Sequence, residues 1–297
     1  MNNTHTILEI KDICKHYGQV QVLDNINLSF NNNNIYGLLG RNGAGKTSLL
    51  NIISGRIFPD NGTVKFHGKD CFKYPGFISE KCCYMPEKHY FPPRLKIKKI
   101  LLLAQSAFAG FDLKQALRLC ELFSLNIEAQ YGQLSRGFQS IFRIVLGLAA
   151  KTEITIFDEP VLGLDAAARD IFYSVLIEEF SGNPRLFIIS THFIEESADI
   201  FNEAIIIDKG KIIRQAAAED LLARVFYVSG KSSGVNKFLL GKNVISSRTA
   251  GDIKTAVVEG RIASEKAVPG LAFSPLTIRK LFIHLTNDIE SAEEQNE

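Results

Sequence analysis

The 297-residue sequence has almost no net charge: 34 Lys and Arg stand against 32 Asp and Glu, a formal balance of +2. No field of one sign covers the chain, so nothing global points to nucleic acid, and none is expected as a partner. Cysteine is sparse and unpatterned. The five cysteines (Cys14, Cys71, Cys82, Cys83, Cys120) are odd in number and nowhere spaced C-x-x-C, which gives neither a disulfide framework nor a zinc site. A reduced, cytosolic chain fits this usage, with Cys82-Cys83 as small apolar filling in a strand. Long apolar runs are missing as well. The start, Met1 to His5, is polar and lacks the apolar region of a signal peptide. The longest apolar candidate, Ile100 to Phe111, is broken by Gln105, Ser106 and Gly110, well short of the roughly 18 apolar residues that a membrane span needs. Such a chain works at a membrane only by docking on something that spans it.

What the chain does have is an ordinary globular composition, 46% hydrophobic and 22% charged, enough for a sizeable core in one large domain and a small one. Its organising stretch is Gly40-Arg41-Asn42-Gly43-Ala44-Gly45-Lys46-Thr47, followed by Ser48. The apolar run Ile35 to Leu39 precedes it, and Ser48 to Ile53 follows, ending at Gly55. Strand, glycine-rich loop and helix in this order make a phosphate cradle. The glycines let consecutive backbone N–H groups face an anion, and the helix N-terminus adds partial positive charge. Lys46 is placed to reach the β- and γ-phosphates of a nucleotide, and the Thr47 hydroxyl to ligate Mg²⁺.

Further along, strands are expected at residues 7–10, 20–30 and 35–39, a short hairpin at 61–69, and a strand from Cys82 that stops at Pro86 and Glu87. Tyr17 either stacks on a purine ring or packs at a strand end. Residues 95–150 switch to helical spacing, a helical insertion between two halves of the nucleotide-binding fold. Strand Ile154 to Asp158 ends in the carboxylates Asp158 and Glu159. At the C-terminal edge of a sheet, Asp158 suits Mg²⁺ and Glu159 an attacking water. Helix 166–180, strand 186–189, helix 194–201 and strand 204–208 continue the alternation that makes a mostly parallel sheet. His192 ends one of these strands, as a γ-phosphate contact or as a structural histidine. The basic run Pro92 to Lys99 reads either as a solvated helix start or as a contact for a membrane partner or anionic headgroups. A helix over 216–223 closes the first domain. Strands at 225–228 and 256–258, a short helix at 235–240, and a helix opened by the Ser274-Pro275 cap pair give a small α+β extension. The tail from Asp288 to Glu297 is acidic, polar and expected to be disordered.

Together these residues resemble the ATP-binding subunit of an ABC transporter, especially those of bacterial peptide and drug exporters. Gly40 to Thr47 is similar to Walker A, Ile154 to Glu159 to Walker B with its catalytic Glu, Gly163-Leu164-Asp165 to the D-loop, His192 to the switch His and Tyr17 to the adenine-stacking aromatic. Leu134-Ser135-Arg136-Gly137-Phe138-Gln139 resembles the signature LSGGQ. The resemblance covers residues 7 to about 215. It implies an α/β P-loop NTPase core with antiparallel β and helical subdomains, an ATP-binding domain over 1–223 (helical subdomain about 95–150), and an extension over 224–287. It also implies an ATP hydrolase using Mg²⁺, dimerising with an identical or a sibling subunit so that Ser135 and Gly137 of one copy face the ATP of the other. The implied partner is a separately encoded membrane permease, export the expected direction, and the inner face of the cell membrane the expected place. One rival is a soluble ABC-type ATPase acting on ribosomes or nucleic acid; the single P-loop, and the lack of sustained heptads between Thr47 and Ser135, weigh against it. The other, a non-catalytic half of a heterodimer, is disfavoured by Glu159 and His192.

Two positions depart from the family pattern. Arg136 replaces a glycine of the signature while Ser135 and Gly137 are kept. Glu87 stands where the family has a Gln near the metal, retaining an oxygen ligand but adding negative charge. Exchanging Glu87 for Gln is therefore expected to leave ATP affinity similar or better and to alter turnover. Steady-state ATPase rates with and without the membrane partner check this, and unchanged rates would remove Glu87 from the metal shell.

Overall fold

The computed structural model describes residues 5–74, 76–88, 91–194, 200–261 and 268–286. The chain forms two compact units, Met1–His192 with Ile207–Ile212, and Phe193–Ile206 with Ile213–Glu297.

In the first unit, strands Ile35–Leu39, Leu186–Thr191, Ile154–Asp158 and Cys82–Met85 lie side by side in that order and run parallel within a six-stranded sheet. Every residue of these strands is buried. Both faces are covered, which is why the strands read as unbroken apolar runs and not as alternating ones. The sequence here supplies β-branched and aromatic residues, and the parallel direction places all the strand ends that carry polar residues on one edge. A second, antiparallel sheet holds Val20–Asn31, Thr6–Tyr17, Asn61–Phe66 and Lys69–Asp70, in that order. Its one-sided burial shows in Val20–Asn31, where Leu23, Ile26, Leu28 and Phe30 face the core between exposed neighbours. The first strand extends well past residue 10, carried by pairing along most of its length, with register shifts between Ile10 and Lys15.

The helical insertion is present as Ile97–Ala107, Leu113–Leu122 and Arg136–Ala149. Asp112 caps the second helix through Gln115 N (2.9 Å) and Ser135 the third through Phe138 N (3.2 Å). Lys96 and Lys98, at the start of this insertion, both pair with Glu128, at 2.9 and 2.5 Å. That arrangement fits the solvated helix start. Among the described residues no helix is long and apolar enough to cross a membrane.

One ionic cluster is buried in this unit. Glu179, on helix Ala166–Gly182, accepts from Lys151 Nζ at 2.7 and 2.6 Å, from Arg185 Nη1 and from Gln115 Nε2. Arg185 also donates to Leu148 O (3.1 Å) and Thr155 Oγ1 (3.2 Å). It thereby ties the strand Leu186–Thr191 to its neighbours.

The second unit contains an antiparallel sheet ordered Asn243–Ala250, Ile253–Glu259, Val225–Lys231, Leu271–Pro275, with helices Ser232–Leu239 and Ile278–Thr286. With sequential strands called first to fourth, this is the second-third-first-fourth order of a split β-α-β unit. Its core is Phe226, Val228, Val235, Phe238, Ala256 and Val258. His284 bridges Tyr227 OH (2.8 Å) and Ser246 Oγ (2.7 Å), and burial, with Lys280 nearby, pushes its pKa down.

Several expectations for this region are corrected. Ala216 and Ala217 end the strand Lys211–Ala217, and the helix is only Ala218–Ala223; strand continuation overrides the helical preference of alanine. Ser274 and Pro275 do not cap a helix. They end an edge strand, opposite Tyr227 and Phe226, where proline's missing N–H costs nothing. The helix starts at Ile278, with Thr277 Oγ1 accepting from Lys280 N at 3.4 Å. The helix expected over 194–201 and the acidic tail fall largely or wholly outside the described residues.

Replacing Glu179 by Ala leaves buried Arg185 without its counter-charge and is expected to cost about 3–5 kcal/mol of stability. Urea unfolding of the full chain checks it. Burial pushes the Glu179 carboxyl up, but the donors from Lys151, Arg185 and Gln115 outweigh this and hold it below its ordinary value of 4.5. The cluster's stabilisation is thus complete above that value and is lost as pH falls through the lower, folded one.

Candidate functional site

The buried strand Ile35–Leu39 delivers the chain to Gly40 at the sheet edge, and helix Lys46–Ile53 leaves from Gly45. Two glycines are required by space. A Cβ on Gly40 would lie 2.8 Å from Ile207 O, and one on Gly45, at φ +104°, 2.8 Å from Val22 O and Leu23 Cδ2. The loop is thus pressed against its own fold, with Ala44 buried beneath and the backbone free to face outward.

A cavity of about 380 Å³ opens over this loop. Arg41, Asn42, Gly43, Gly45, Lys46, Thr47 and Ser48 line it, joined by Tyr17, Val22, Glu87 and Glu159. The two far-separated residues of this wall, Glu87 and Glu159, are brought together by the adjacent parallel strands that end just before them. Tyr17 is half-exposed at the rim, as a stacking platform has to be.

Beneath the loop the charges are tightly arranged. Lys46, only 6% exposed, donates to Gly40 O (2.6 Å) and lies 3.3 Å from Glu159 Oε1. Thr47 Oγ1 donates to Asp158 Oδ2 at 2.8 Å; the same oxygen takes Tyr84 OH at 3.3 Å, while Ser190 Oγ donates to Oδ1. Burial and the negative charge of Asp158 push the Tyr84 phenol far up, so it is a donor at any ordinary pH. Glu159 is buried with a left-handed backbone (φ +49°), and its N–H donates to Ser190 Oγ at 3.1 Å. His192 Nδ1 sits 2.8 Å from Glu159 Oε2, and the His192 N–H donates to that oxygen at 3.3 Å. Glu159 Oε1 is buried with no hydrogen bond of its own, and its neighbour is the Lys46 ammonium at 3.3 Å.

A divalent cation would meet hard oxygen donors here, the Thr47 hydroxyl and the carboxylates of Asp158 and Glu87, which is the ligand chemistry Mg²⁺ takes. Among the described residues no three His, Cys, Asp or Glu side chains gather as a protein-only metal cage.

Ser135 and Gly137 do not line this cavity. Ser135 caps its helix, and a Cβ on Gly137 would stand 2.9 Å from Gly163 O. Ser140 Oγ fixes the same contact by donating to Leu162 O at 2.9 Å. Next to it Asp165 caps helix Ala166–Gly182 through Ala168 N (2.8 Å). Sequence reasoning missed Ser190, Tyr84 and Arg143 as supports of the site. Arg143 is buried, its guanidinium pKa lowered by that burial, and it donates to Pro86 O (2.5 Å) and Ser140 Oγ (2.8 Å), pinning the turn before Glu87. Polar residues at the ends of apolar strands were the available signal for Ser190 and Tyr84.

With this geometry in place, comparison with known proteins is informative. The family described as ABC transporter matches residues 23–162. The chain is 30% identical to the spermidine/putrescine import ATP-binding protein PotA of Clostridioides difficile, over 84% of this chain and 71% of that one. It is 30% identical to the ABC transporter ATP-binding protein YtrB of Bacillus subtilis over 64% of this chain and 65% of YtrB, slightly under two thirds of that relative's length. At 25% identity, a Nod factor export ATP-binding protein I of Burkholderia orbicola aligns over 94% of this chain and 96% of its own. Among solved structures, an ATP-binding subunit of an ABC transporter superposes with a TM-score of 0.66 at 24% identity, over 72% of this chain and 91% of that one.

Alanine at Gly45 would have to adopt a left-handed backbone and push into Val22. It is expected to cost roughly 1–3 kcal/mol of stability and to abolish nucleotide retention. Thermal denaturation and an ATP-binding titration check the two effects, and an unchanged melting temperature would contradict the tight seating of the loop.

Proposed function

This chain belongs to the ATP-binding proteins of ABC transporters, an ATPase family, and from that membership we propose that it hydrolyses Mg-ATP between two cassettes to drive a separately encoded membrane permease. One observation carries the reading: Lys46, Thr47 and Glu159 line one cavity, with Asp158 bonded to Thr47 just beneath it, although they come from two distant parts of the sequence.

The residues take distinct roles. The loop N–H groups and Lys46 hold the phosphates, and Tyr17 at the rim meets the adenine. When bound, Mg²⁺ supplies charge neutralisation on the phosphate oxygens, with Thr47, Asp158 and Glu87 as its protein-side partners. Glu159 orients and deprotonates the attacking water, its Oε1 being released from Lys46 when Lys46 turns to the phosphates; His192, bonded to Oε2, holds that carboxylate and contacts the γ-phosphate. Ser135, exposed at a helix start, and Gly137, half-buried beside it, do not line this chain's own cavity and serve the ATP of a second copy or a sibling. The site of one chain is completed by the other.

Coupling to a permease is supported by an apolar groove of about 480 Å³ where the core strand Cys82–Met85 meets the helical insertion, with Phe91, Leu95, Ile100 and Leu103 in its wall. A short amphipathic helix of the permease suits it, which would hold the chain against the inner face of the membrane. Export is the direction we favour. Its support is the export relative that aligns over both the cassette and the C-terminal extension, while the import relative leaves import as the competing outcome.

Replacing Glu159 by Gln keeps the shape and removes the base. Turnover is expected to fall by at least ~10²-fold, while Mg-ATP traps a dimer on size-exclusion chromatography. A monomer at saturating Mg-ATP would sink the two-cassette reading.

A further inference from the structure

The groove and the nucleotide cavity are served by the same side chain. Tyr84, on strand Cys82–Met85, lines the groove, yet its hydroxyl reaches the other way to Asp158 Oδ2 at 3.3 Å. Its ring is covered by Arg56, whose guanidinium lies 4.7 Å from the ring centroid and whose Nη2 is 3.5 Å from Tyr84 O. Arg56 also lines the groove. It sits just after helix Lys46–Ile53, the helix that carries Thr47 at its start.

Asp158 Oδ2 takes hydrogen bonds from both Tyr84 and Thr47. The Thr47 hydroxyl is a rotor that can turn away from the carboxylate. The Tyr84 hydroxyl is held at the end of a rigid, buried ring and keeps Oδ2 in place whichever way Thr47 points. Arg56, stacked on that ring, is a long side chain in the groove wall, where a permease helix seated in the groove would touch it.

We infer that Tyr84 is a positioning residue for Asp158, and that the stacked Arg56–Tyr84 pair is the route by which occupation of the groove is felt at the metal-holding carboxylate. This rests on the proposed role of Asp158. A tyrosine that merely fills the core would influence stability alone; this one sets how readily the site accepts a divalent cation.

The test is the binding of a fluorescent ATP analogue by the full chain, titrated with Mg²⁺, in the parent protein, Tyr84→Phe, Arg56→Gln and the double variant. Removing only the hydroxyl is expected to raise the Mg²⁺ half-saturation by roughly three- to tenfold, the effect of one ordinary hydrogen bond. Binding without Mg²⁺ should stay near the parent value, and the melting temperature should fall by no more than about 4 °C. Arg56→Gln should shift the half-saturation in the same direction by less, and the double variant should match Tyr84→Phe, because both act through one ring. A Tyr84→Phe protein with the parent's Mg²⁺ half-saturation, or one whose binding falls equally with and without Mg²⁺, overturns the positioning role. Fully multiplicative effects in the double variant overturn the Arg56 route. If the parent itself shows no Mg²⁺ dependence, the role of Asp158 fails first and this inference with it.

Discussion

The hydrogen bond from Thr47 to buried Asp158 joins two pieces of the fold that are far apart in sequence: the first turn of the helix after the glycine loop, and the end of strand Ile154–Asp158. It works because the sheet is parallel. Parallel strands all finish on one edge, so a loop leaving one strand and a carboxylate ending its neighbour but one arrive at the same spot. A carboxylate with no exposed surface is costly to keep charged unless every oxygen is engaged. Asp158 meets that requirement through Thr47, Tyr84 and Ser190. Glu159 beside it is held differently: Oε2 is bonded by His192, while Oε1 makes no hydrogen bond and faces the Lys46 ammonium at 3.3 Å.

The supporting scaffold follows the same economy. Arg143 fixes the turn that presents Glu87, and the Glu179 cluster locks the strand leading to Ser190 and His192. Each is an ionic group buried away from the cavity and held by backbone carbonyls as well as side chains. Tyr17 and Ser135, by contrast, are exposed.

What could be read from the sequence was whatever is local. The glycine loop, the strand closing on Asp158 and Glu159, and the helical spacing of residues 95–150 each announce themselves within a short window, because a backbone turn, a buried strand and an amphipathic face have local periods. The strands Asn243–Ala250 and Leu271–Pro275 were invisible for the opposite reason: they lie at the sheet edges, are partly exposed and carry Ser, Thr and Arg without a clean alternation. Ser274-Pro275 gave a cap signal that the pairing with Val225–Lys231 overrode. Tyr84 and Ser190 could be seen as strand residues, but their bonds to Asp158 depend on which strands neighbour it. Strand order is a property of the whole sheet and has no signature in any one segment.

The left-handed backbone of Glu159 limits what that position can become over evolutionary time. Side chains branched at Cβ are barred there by their own backbone sterics, whatever their polarity, while Gly, Asn and Asp enter that region most easily. Mutational drift away from glutamate therefore runs along a narrow path. Gln, unbranched at Cβ like Glu, passes this filter as Gly, Asn and Asp do, so a lineage that exchanges the carboxylate keeps the turn and the pocket: on the proposed reading, a cassette that still grips but no longer fires.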